Sequence, residues 1–198
     1  MTQPRQLLDR PARREAILRG AADAFAVKGF AATSMEDVAA AAGITKLIVY
    51  RHFESKQELY DAVLERVADR LRDEWVQRLA PGRAATGAVH SLLAVAREDP
   101  AGFTLLWRHA AREPQFAPHA DDIRARGVRA AARVLAPAPL PDDVKAWAAS
   151  TVVTYLVTAV LGWLEQGSPD RDGAFAEMLT RSLPALVGSW AGASPGNG

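Results

Sequence analysis

The sequence predicts an all-α protein of about nine helices, in which a small N-terminal domain of three helices precedes a larger helical domain. Apolar residues recur at the three- and four-residue spacing of amphipathic helices along most of the chain. No segment alternates for long between apolar and polar residues, as a half-buried strand would. Glycine and proline clusters interrupt the helical pattern and mark the loops.

The first predicted helix runs from Arg13 to Lys28. Ile17, Ala21 and Phe25 repeat every four residues within it and form one apolar face. Gly29 follows directly, and glycine tolerates the left-handed conformation that often ends a helix. The segment therefore reads as an amphipathic helix with a defined end.

Two short helices are predicted next, joined by a glycine turn. Thr33 and Glu36 have the spacing of a capping box, which would open the second helix. Gly43 ends that helix, and Thr45 caps a third one from Lys46 to His52. This order is typical of a helix-turn-helix unit, in which the last of the three helices enters a DNA groove.

A long fourth helix opens at a further capping box, formed by Ser55 and Glu58. Pro81 and Gly82 end it. We place the domain boundary at its start, with residues 1–55 in the first domain and 56–198 in the second. Its apolar positions keep a strict four-residue spacing: Leu59, Val63, Val67, Leu71, Trp75 and Leu79.

The second domain contains five more predicted helices, separated by proline-rich or glycine-rich breaks. Residues 1–10 are predicted as a flexible arm and residues 191–198 as a flexible tail. The five helices are Ala84 to Glu98, a sixth that starts at Asp99-Pro100, Ala120 to Leu135, Pro141 to Gln166, and Asp172 to Trp190 with a kink expected before Pro184.

Composition and charge narrow the classes of function. The formal net charge of +1 argues against a polybasic protein, and the absence of cysteine excludes disulfides and thiolate chemistry. His90, His109 and His119 fit no metal-binding spacing, and no nucleophile elbow or phosphate-binding glycine loop occurs. We therefore predict no enzyme, no metal and no cofactor. The polar N-terminus is unlike a secretion signal, which predicts a cytoplasmic protein.

The eighth predicted helix has two interpretations. Residues 146–164 contain no charged side chain, and Trp147 and Trp163 lie near the ends, as in a membrane span. Hydroxyl residues such as Thr151 and Thr154 dilute its apolar character, however. A helix that is apolar nearly all round also suits a position buried between other helices. We favour burial, and a membrane-associated helical protein is the remote alternative.

The N-terminal segment resembles the DNA-binding domain of the tetracycline-repressor (TetR) family of bacterial transcription regulators. The resemblance covers about a quarter of the chain, and the helix lengths are in register. Four ordered stretches carry it: Thr33-Ser34-Met35-Glu36-Asp37-Val38-Ala39, Ala42-Gly43-Ile44-Thr45-Lys46, Tyr50-Arg51-His52-Phe53 and Ser55-Lys56-Gln57-Glu58-Leu59. The rest of the chain matches only in length, helical content and order of elements.

The resemblance implies a set of DNA contacts on and around the third helix. Thr45 and Lys46 would meet base edges, and Thr33 would contact the backbone at the start of the second helix. Tyr50, His52 and Lys56 would contact phosphates. The complete implied set is Thr33, Ser34, Thr45, Lys46, Leu47, Ile48, Tyr50, Arg51, His52 and Lys56.

Several of these side chains also have a purely structural interpretation. Leu47 and Ile48 stand where small residues are common in the family, so they would either touch thymine methyl groups or pack against the domain. Phe53 is expected in the core, and Tyr50 can pack its ring while its hydroxyl faces outward. Lys46, Arg51 and Lys56 could be ordinary solvated charges.

The resemblance also implies a regulatory second domain. Family members are homodimers that bind a palindromic operator, and a small molecule in the second domain releases the DNA. The lipophilic or aromatic effector expected here would contact Trp75, Phe103, Trp107, Phe116, Tyr155 and Thr158, unless these form plain core. The expected dimer contacts are Val152, Leu156, Leu183, Leu186, Val187 and Trp190. The alternative is a DNA-binding regulator controlled by a protein partner or by no effector.

Overall fold

A computed structural model describes residues 9–78 and 84–192. These residues form nine α-helices and no strand, so the all-α prediction is confirmed. The helices are α1 (Arg10–Ala32), α2 (Met35–Ala41), α3 (Lys46–Tyr50), α4 (Lys56–Arg78), α5 (Ala84–Glu98), α6 (Pro100–Thr104), α7 (Ala117–Leu135), α8 (Asp142–Gln166) and α9 (Asp172–Gly192). The predicted start and end of the chain, residues 1–8 and 193–198, and Leu79 with the Pro81-Gly82 break lie outside the described residues.

Two glycines shape the first domain as the sequence predicts. Gly29 has φ +76° and interrupts helical geometry near the end of α1. Gly43 has φ +66° and turns the chain between α2 and α3. A third glycine matters for packing, because a Cβ on Gly20 would lie 2.6 Å from the backbone nitrogen of Ala42. This close approach sets the separation between α1 and the end of α2.

The capping box of α2 is displaced by one residue from its predicted position. Ser34 is the cap: its hydroxyl accepts the backbone N–H of Asp37, and the Asp37 carboxylate accepts the N–H of Ser34. The predicted pair of Thr33 and Glu36 is therefore wrong. The Thr33 side chain is buried instead, and its hydroxyl donates to the carbonyl of Gly29 at 2.7 Å.

The helices α3 and α4 differ slightly from prediction. Helix α3 ends at Tyr50, two residues early, and Thr45 precedes it without a side-chain capping hydrogen bond. Ser55 accepts the N–H of Glu58 as expected, but the Glu58 carboxylate accepts from the N–H of Glu54. The box at the start of α4 is thus only half formed.

An aromatic cluster joins the two predicted domains. The ring of Phe116, at the start of α7, lies 4.1 Å from that of Tyr60 on α4 and 4.7 Å from that of Phe30 on α1, between ring centroids. Phe25 completes the cluster at 4.9 Å from Tyr60. Burial raises the pKa of Tyr60 to about 12. The first domain therefore shares one continuous apolar core with the second.

In the second domain, α5 packs against α4, α8 and α9, and α7 packs against α8. A π-helical turn, Leu105–His109, follows α6, and sequence periodicity gave no sign of it. Asp172 ties α9 to α5 and α8, because its carboxylate accepts from Arg97 at 2.8 Å and from the indole N–H of Trp163 at 2.7 Å. Helix α9 continues through Pro184 to Gly192.

Helix α8 is long and apolar enough to cross a membrane by length and composition alone, and 39% of its most apolar window is buried among the described residues. Core helices of other proteins pass the same test, so the observation is weak evidence for a membrane. The exposed part of α8 nevertheless requires an explanation.

Candidate nucleic-acid interface and adjoining cavity

The short helix α3 packs its apolar side against the core and exposes its other side to solvent. Val49 is fully buried, and Phe53, just after the helix, is 2% exposed, as predicted for a core residue. Leu47 is 63% exposed and Tyr50 45% exposed, so both point away from the core. Ile48 is half-buried. Of the two apolar side chains whose role was open, Leu47 therefore does not belong to the packing face.

The start of α3 carries a paired lysine. The Lys46 ammonium donates to the Glu36 carboxylate on α2 and lies 5.6 Å from the centroid of the Tyr50 ring. This hydrogen bond lowers the pKa of Glu36 and raises that of Lys46. Both side chains are largely exposed, so the pair adds little stability. It holds the Lys46 side chain across the gap between α2 and α3.

A basic group borders the end of α3. Arg10, Arg13 and Arg14 on the first turns of α1 lie close enough to His52 to lower its pKa, after burial, which is the larger cause. The Arg14 guanidinium also lies 5.2 Å from the centroid of the Phe53 ring. The prediction that Arg10 belongs to a flexible arm is wrong, because Asp9 caps α1 and Arg10 is its first residue.

Lys56 is less free than the sequence suggested. Its ammonium donates to the carbonyl of Phe30 at 2.8 Å and to that of Ala31 at 3.2 Å, and it lies 4.4 Å from the Phe30 ring centroid. Lys56 thus satisfies the last carbonyls of α1. Any phosphate it meets must share this ammonium with those carbonyls.

An ionic bridge that the sequence did not reveal links α1 to the second domain. The side chain of Arg66 on α4 is 8% exposed and contacts the carboxylates of Glu15 at 2.8 Å and of Asp99 at 2.5 Å. Asp99 also caps α6 by accepting the N–H of Gly102. Because these residues are 33 and 51 positions from Arg66 in sequence, no local spacing could have paired them.

A cavity of about 720 Å³ opens among α4, α5, α7, α8 and α9. Two of the six residues predicted to contact an effector, Trp75 and Trp107, line it. The other four residues predicted as its walls do not. Phe103 is fully buried in the core, Phe116 belongs to the aromatic cluster, the Tyr155 hydroxyl pairs with Ser182 at 2.9 Å, and Thr158 is exposed.

Four residues predicted as dimer contacts line this cavity instead, namely Val152, Leu156, Leu183 and Val187. Leu156 and Leu183 are 3% and 5% exposed, so they cannot form a subunit contact in this conformation. Leu186 is half-buried, and the Trp190 ring packs edge-on against Trp147 at 4.7 Å. Helical periodicity found the apolar positions but could not assign them to the inner or the outer side.

The cavity wall is mainly apolar, with a few polar groups that sequence reasoning missed. Two residues of the wall, Ser91 and Trp107, each have a buried hydrogen-bond donor. Three arginines, Arg72, Arg126 and Arg133, complete the polar part. Arg126 also reaches Glu65 on α4, where the Nη2 to Oε1 distance is 2.8 Å. Among the described residues, no cluster of histidine and carboxylate side chains is suited to hold a metal.

Comparison with known proteins agrees with the geometry of the first domain. Residues 17–63, which span most of α1 to the first part of α4, match the model of "Bacterial regulatory proteins, tetR family". The chain is also 34% identical over 115 residues to the HTH-type transcriptional activator FasR of Mycolicibacterium smegmatis, a match that covers 56% of this chain and 52% of FasR. The chain thus spans about half the length of this curated relative.

Solved structures extend the likeness of fold to the second domain. A TetR-like regulator from Rhodococcus sp. RHA1 superposes with a TM-score of 0.76 at 22% identity, over 91% of this chain and 98% of that one. AibR, solved in complex with isovaleryl coenzyme A and operator DNA, superposes with a TM-score of 0.66 at 21% identity, over 86% and 97% of the two chains. At these identities the likeness concerns the fold alone.

Proposed function

Because the chain belongs to the tetR family of bacterial regulatory proteins, we propose that it regulates transcription by sequence-specific binding to double-stranded DNA. The observation that carries this proposal is the surface of α3. Leu47 and Tyr50 are exposed on a helix that Val49 and Phe53 anchor, and basic side chains border the same surface. A helix held in this way can enter a major groove without unfolding the domain.

We assign roles on this surface by chemistry. Thr45 and Lys46, at the start of α3, would meet base edges, and Leu47 would touch thymine methyl groups. Tyr50, Arg51 and His52 would contact phosphates. The remaining members of the predicted set contribute less directly: Ile48 is half-buried, Ser34 and Lys56 already hold internal partners, and Thr33 would act through its backbone because its hydroxyl faces inward.

We propose that the regulator is a homodimer through α8 and α9. The exposed side of α8 is uncharged over Ser150, Thr154 and Thr158, and Trp147 beside it is 53% exposed. On α9, Met178 is 59% exposed. Such a face on a long apolar helix suits burial against a second copy. Two copies of α3 would then read a palindrome whose half-site centres lie about 34–36 Å apart.

We propose further that a small lipophilic effector occupies the cavity and weakens DNA binding. The cavity has the volume and the apolar wall of a ligand site, and it touches α4, whose first residues follow the DNA-binding helices. An effector that binds the two states of α4 unequally would shift the equilibrium between them. AibR, which has the same fold, was solved in complex with isovaleryl coenzyme A and operator DNA, which supports a small-molecule ligand here.

The expected sign of control is repression, because a dimer on an operator excludes other proteins from the same DNA. A regulator of this kind would work in the cytoplasm and would need no cofactor or catalytic activity. FasR is named as an activator, so a transcription assay from the target promoter, with and without the protein, decides the sign.

The experiment that tests the proposal is footprinting of the purified protein on DNA that flanks its own coding region. We expect protection of an inverted repeat, and we expect Leu47→Ala combined with Arg51→Ala to abolish it. Arg129→Ala, on the outer surface of α7, is the matched control and should leave the footprint unchanged. If the wild-type protein protects no sequence in that region or in a library of random duplexes, the proposal is wrong.

The second candidate is a DNA-binding regulator whose second domain senses a protein or nothing. One experiment distinguishes it from an effector-controlled regulator: no small molecule would raise the melting temperature of the protein. The remote alternative is a membrane protein, because α8 is long and apolar enough to cross a membrane. It predicts that the chain needs detergent to stay in solution.

A further inference from the structure

Two buried donors in the cavity wall have no partner among the described residues. The Oγ of Ser91 on α5 and the Nε1 of Trp107 on the π-helical turn are both inaccessible and make no hydrogen bond. Ser91 as a whole is only 3% exposed. A buried donor without an acceptor is costly, and native proteins rarely keep one. Both residues line the same cavity, so a rotation of either side chain would bring its donor to a bound molecule with acceptor oxygens.

The charges of the wall have a single sign. Its described residues include three arginines, Arg72, Arg126 and Arg133, and no aspartate or glutamate. The remaining wall is almost entirely aliphatic or aromatic. Such a lining disfavours a cationic ligand and suits a molecule with an apolar body and an anionic group.

Arg126 is the wall arginine whose guanidinium contacts both α4 and α7. Its guanidinium holds Glu65 through two hydrogen bonds, of 2.8 and 3.4 Å, and holds Asp122 at 3.0 Å. Its side chain is 39% exposed, so an anion can reach it. Planar guanidinium groups bind carboxylates and phosphates in a forked geometry, and an anion in the cavity would therefore compete with Glu65 and Asp122.

We propose that the effector is an anionic amphiphile, whose carboxylate or phosphate pairs with Arg126 and whose apolar body fills the cavity, with an acceptor oxygen for Trp107 or Ser91. This inference rests on the proposed function, in which the cavity is the effector site. It narrows that site from any lipophilic molecule to one chemical class.

The same exchange would reach the DNA-binding domain. Glu65 precedes Arg66 on α4, and Arg66 joins Glu15 of α1 to Asp99 at the start of α6. When an anion takes Arg126, Glu65 loses its main partner and the link between α4 and α7 weakens. A shift of α4 would then move Arg66 and the ion pairs that hold α1, without any direct contact between effector and α1.

The test measures binding of three ten-carbon probes to the full chain by isothermal titration calorimetry, below the concentrations at which the probes form micelles. The probes are decanoate, decyl phosphate and 1-decanol. We expect at least one anion to bind about tenfold or more tightly than the alcohol, since a charged hydrogen bond is worth about that ratio. The tighter of the two anions identifies the head group.

Two substitutions with opposite expected effects sharpen the test. Arg126→Gln should weaken binding of the preferred anion by about 10- to 100-fold and leave the alcohol within about twofold. Glu65→Gln removes the internal competitor and should tighten anion binding, an effect that misfolding cannot imitate. Arg124→Gln, on the same helix but outside the cavity wall, should change neither affinity.

The inference is overturned if the alcohol binds as tightly as both anions, if no probe binds, or if Arg126→Gln leaves anion binding unchanged. DNA binding of the same preparation is measured in parallel. If the protein binds its operator but no anion, only this inference is wrong. If it binds no DNA, the proposed function is wrong.

Discussion

At the scale of single residues, Gly20 sets how closely α1 approaches the end of α2. A Cβ at this position would lie 2.6 Å from a backbone nitrogen and 2.9 Å from the Ala42 Cβ. We expect Gly20→Ala to lower the free energy of unfolding by about 1–3 kcal/mol, because a backbone must move to relieve the overlap. Thermal or urea unfolding measures the change.

The control for this substitution is Gly127→Ala on α7, where an added Cβ meets nothing within 4 Å. Alanine favours a helix over glycine by about 0.5–1 kcal/mol, so this variant should be slightly more stable than the wild type. Equal effects of the two substitutions would show that the contact between α1 and α2 does not limit stability.

His52 gives DNA binding a pH dependence whose sign follows from its surroundings. In the free protein, burial and then the charges of Arg10, Arg13 and Arg14 lower the pKa of His52. A nearby phosphate would favour the protonated ring and raise that pKa in the complex, so the complex would bind more protons than the free protein. Affinity should therefore rise as the pH falls below about 7.

Fluorescence anisotropy with labelled operator across this pH range measures the effect, and His52→Gln should flatten the profile. A wild-type profile as flat as that of the variant would contradict this role.

The capping of α2 illustrates what a sequence can and cannot specify at this scale. Thr33, Ser34, Glu36 and Asp37 form two overlapping capping boxes, and local spacing does not distinguish them. Ser34 is the residue that caps α2, because the Thr33 hydroxyl donates to carbonyls of α1 instead. That contact depends on how α1 and α2 pack, which no short motif encodes.

At the scale of helices, Arg66 is the residue whose loss should matter most. Its buried guanidinium holds Glu15 on α1 and the nearly buried Asp99 at the start of α6. Arg66→Met would leave Asp99 without its charged partner, and breaking a buried pair in this way costs about 3–5 kcal/mol. Chemical denaturation should show that loss.

The matched control is Arg72→Met, two turns further along α4. Arg72 pairs with Asp69 at 2.9 Å, and both side chains are more than half exposed. Exposed pairs of this kind contribute about 0–1 kcal/mol. If Arg66→Met is no more harmful than Arg72→Met, the bridge does not couple α1 to the second domain as the geometry suggests.

The positions of the helices follow closely from the sequence, whereas the side that each helix turns to the core, the cavity or the solvent does not. Glycine, proline and capping residues placed most helix ends within a few residues of their observed positions. Helix α8 is apolar nearly all round, and periodicity could not tell that Leu156 faces a cavity while Thr158 faces outward. The π-helical turn at Leu105–His109 leaves no signature in the spacing of apolar residues.

At the scale of the whole molecule, the proposed recognition of an operator depends on the proposed dimer. Thr158 is exposed on α8, so an arginine there costs the protomer little but would place a charge in the proposed interface. We expect Thr158→Arg to change the species seen by light scattering from twice 21.3 kDa to 21.3 kDa and to weaken operator binding. Gln77→Arg, on the exposed side of α4, is the control and should remain dimeric. A dimeric Thr158→Arg would place the interface elsewhere.

The proposed coupling between cavity and DNA surface also belongs to this scale. The sequence indicated a helical regulator with two functional regions, but the pair that connects the two domains, Arg66 with Glu15, joins residues 51 positions apart. Only the folded chain brings them together. The aromatic cluster around Phe116 adds a second connection, because it packs the start of α7 directly on α1 and α4.

The salt dependence of operator affinity tests the central claim most directly. The claim is that α3 and the basic side chains beside it bind phosphates and bases in successive grooves. For the wild-type dimer, log K should fall with log salt concentration with a slope of about −5 or steeper, and Arg51→Ala should make the slope shallower by about 2, one phosphate per subunit. A slope near zero, or an unchanged slope in the variant, would contradict the account.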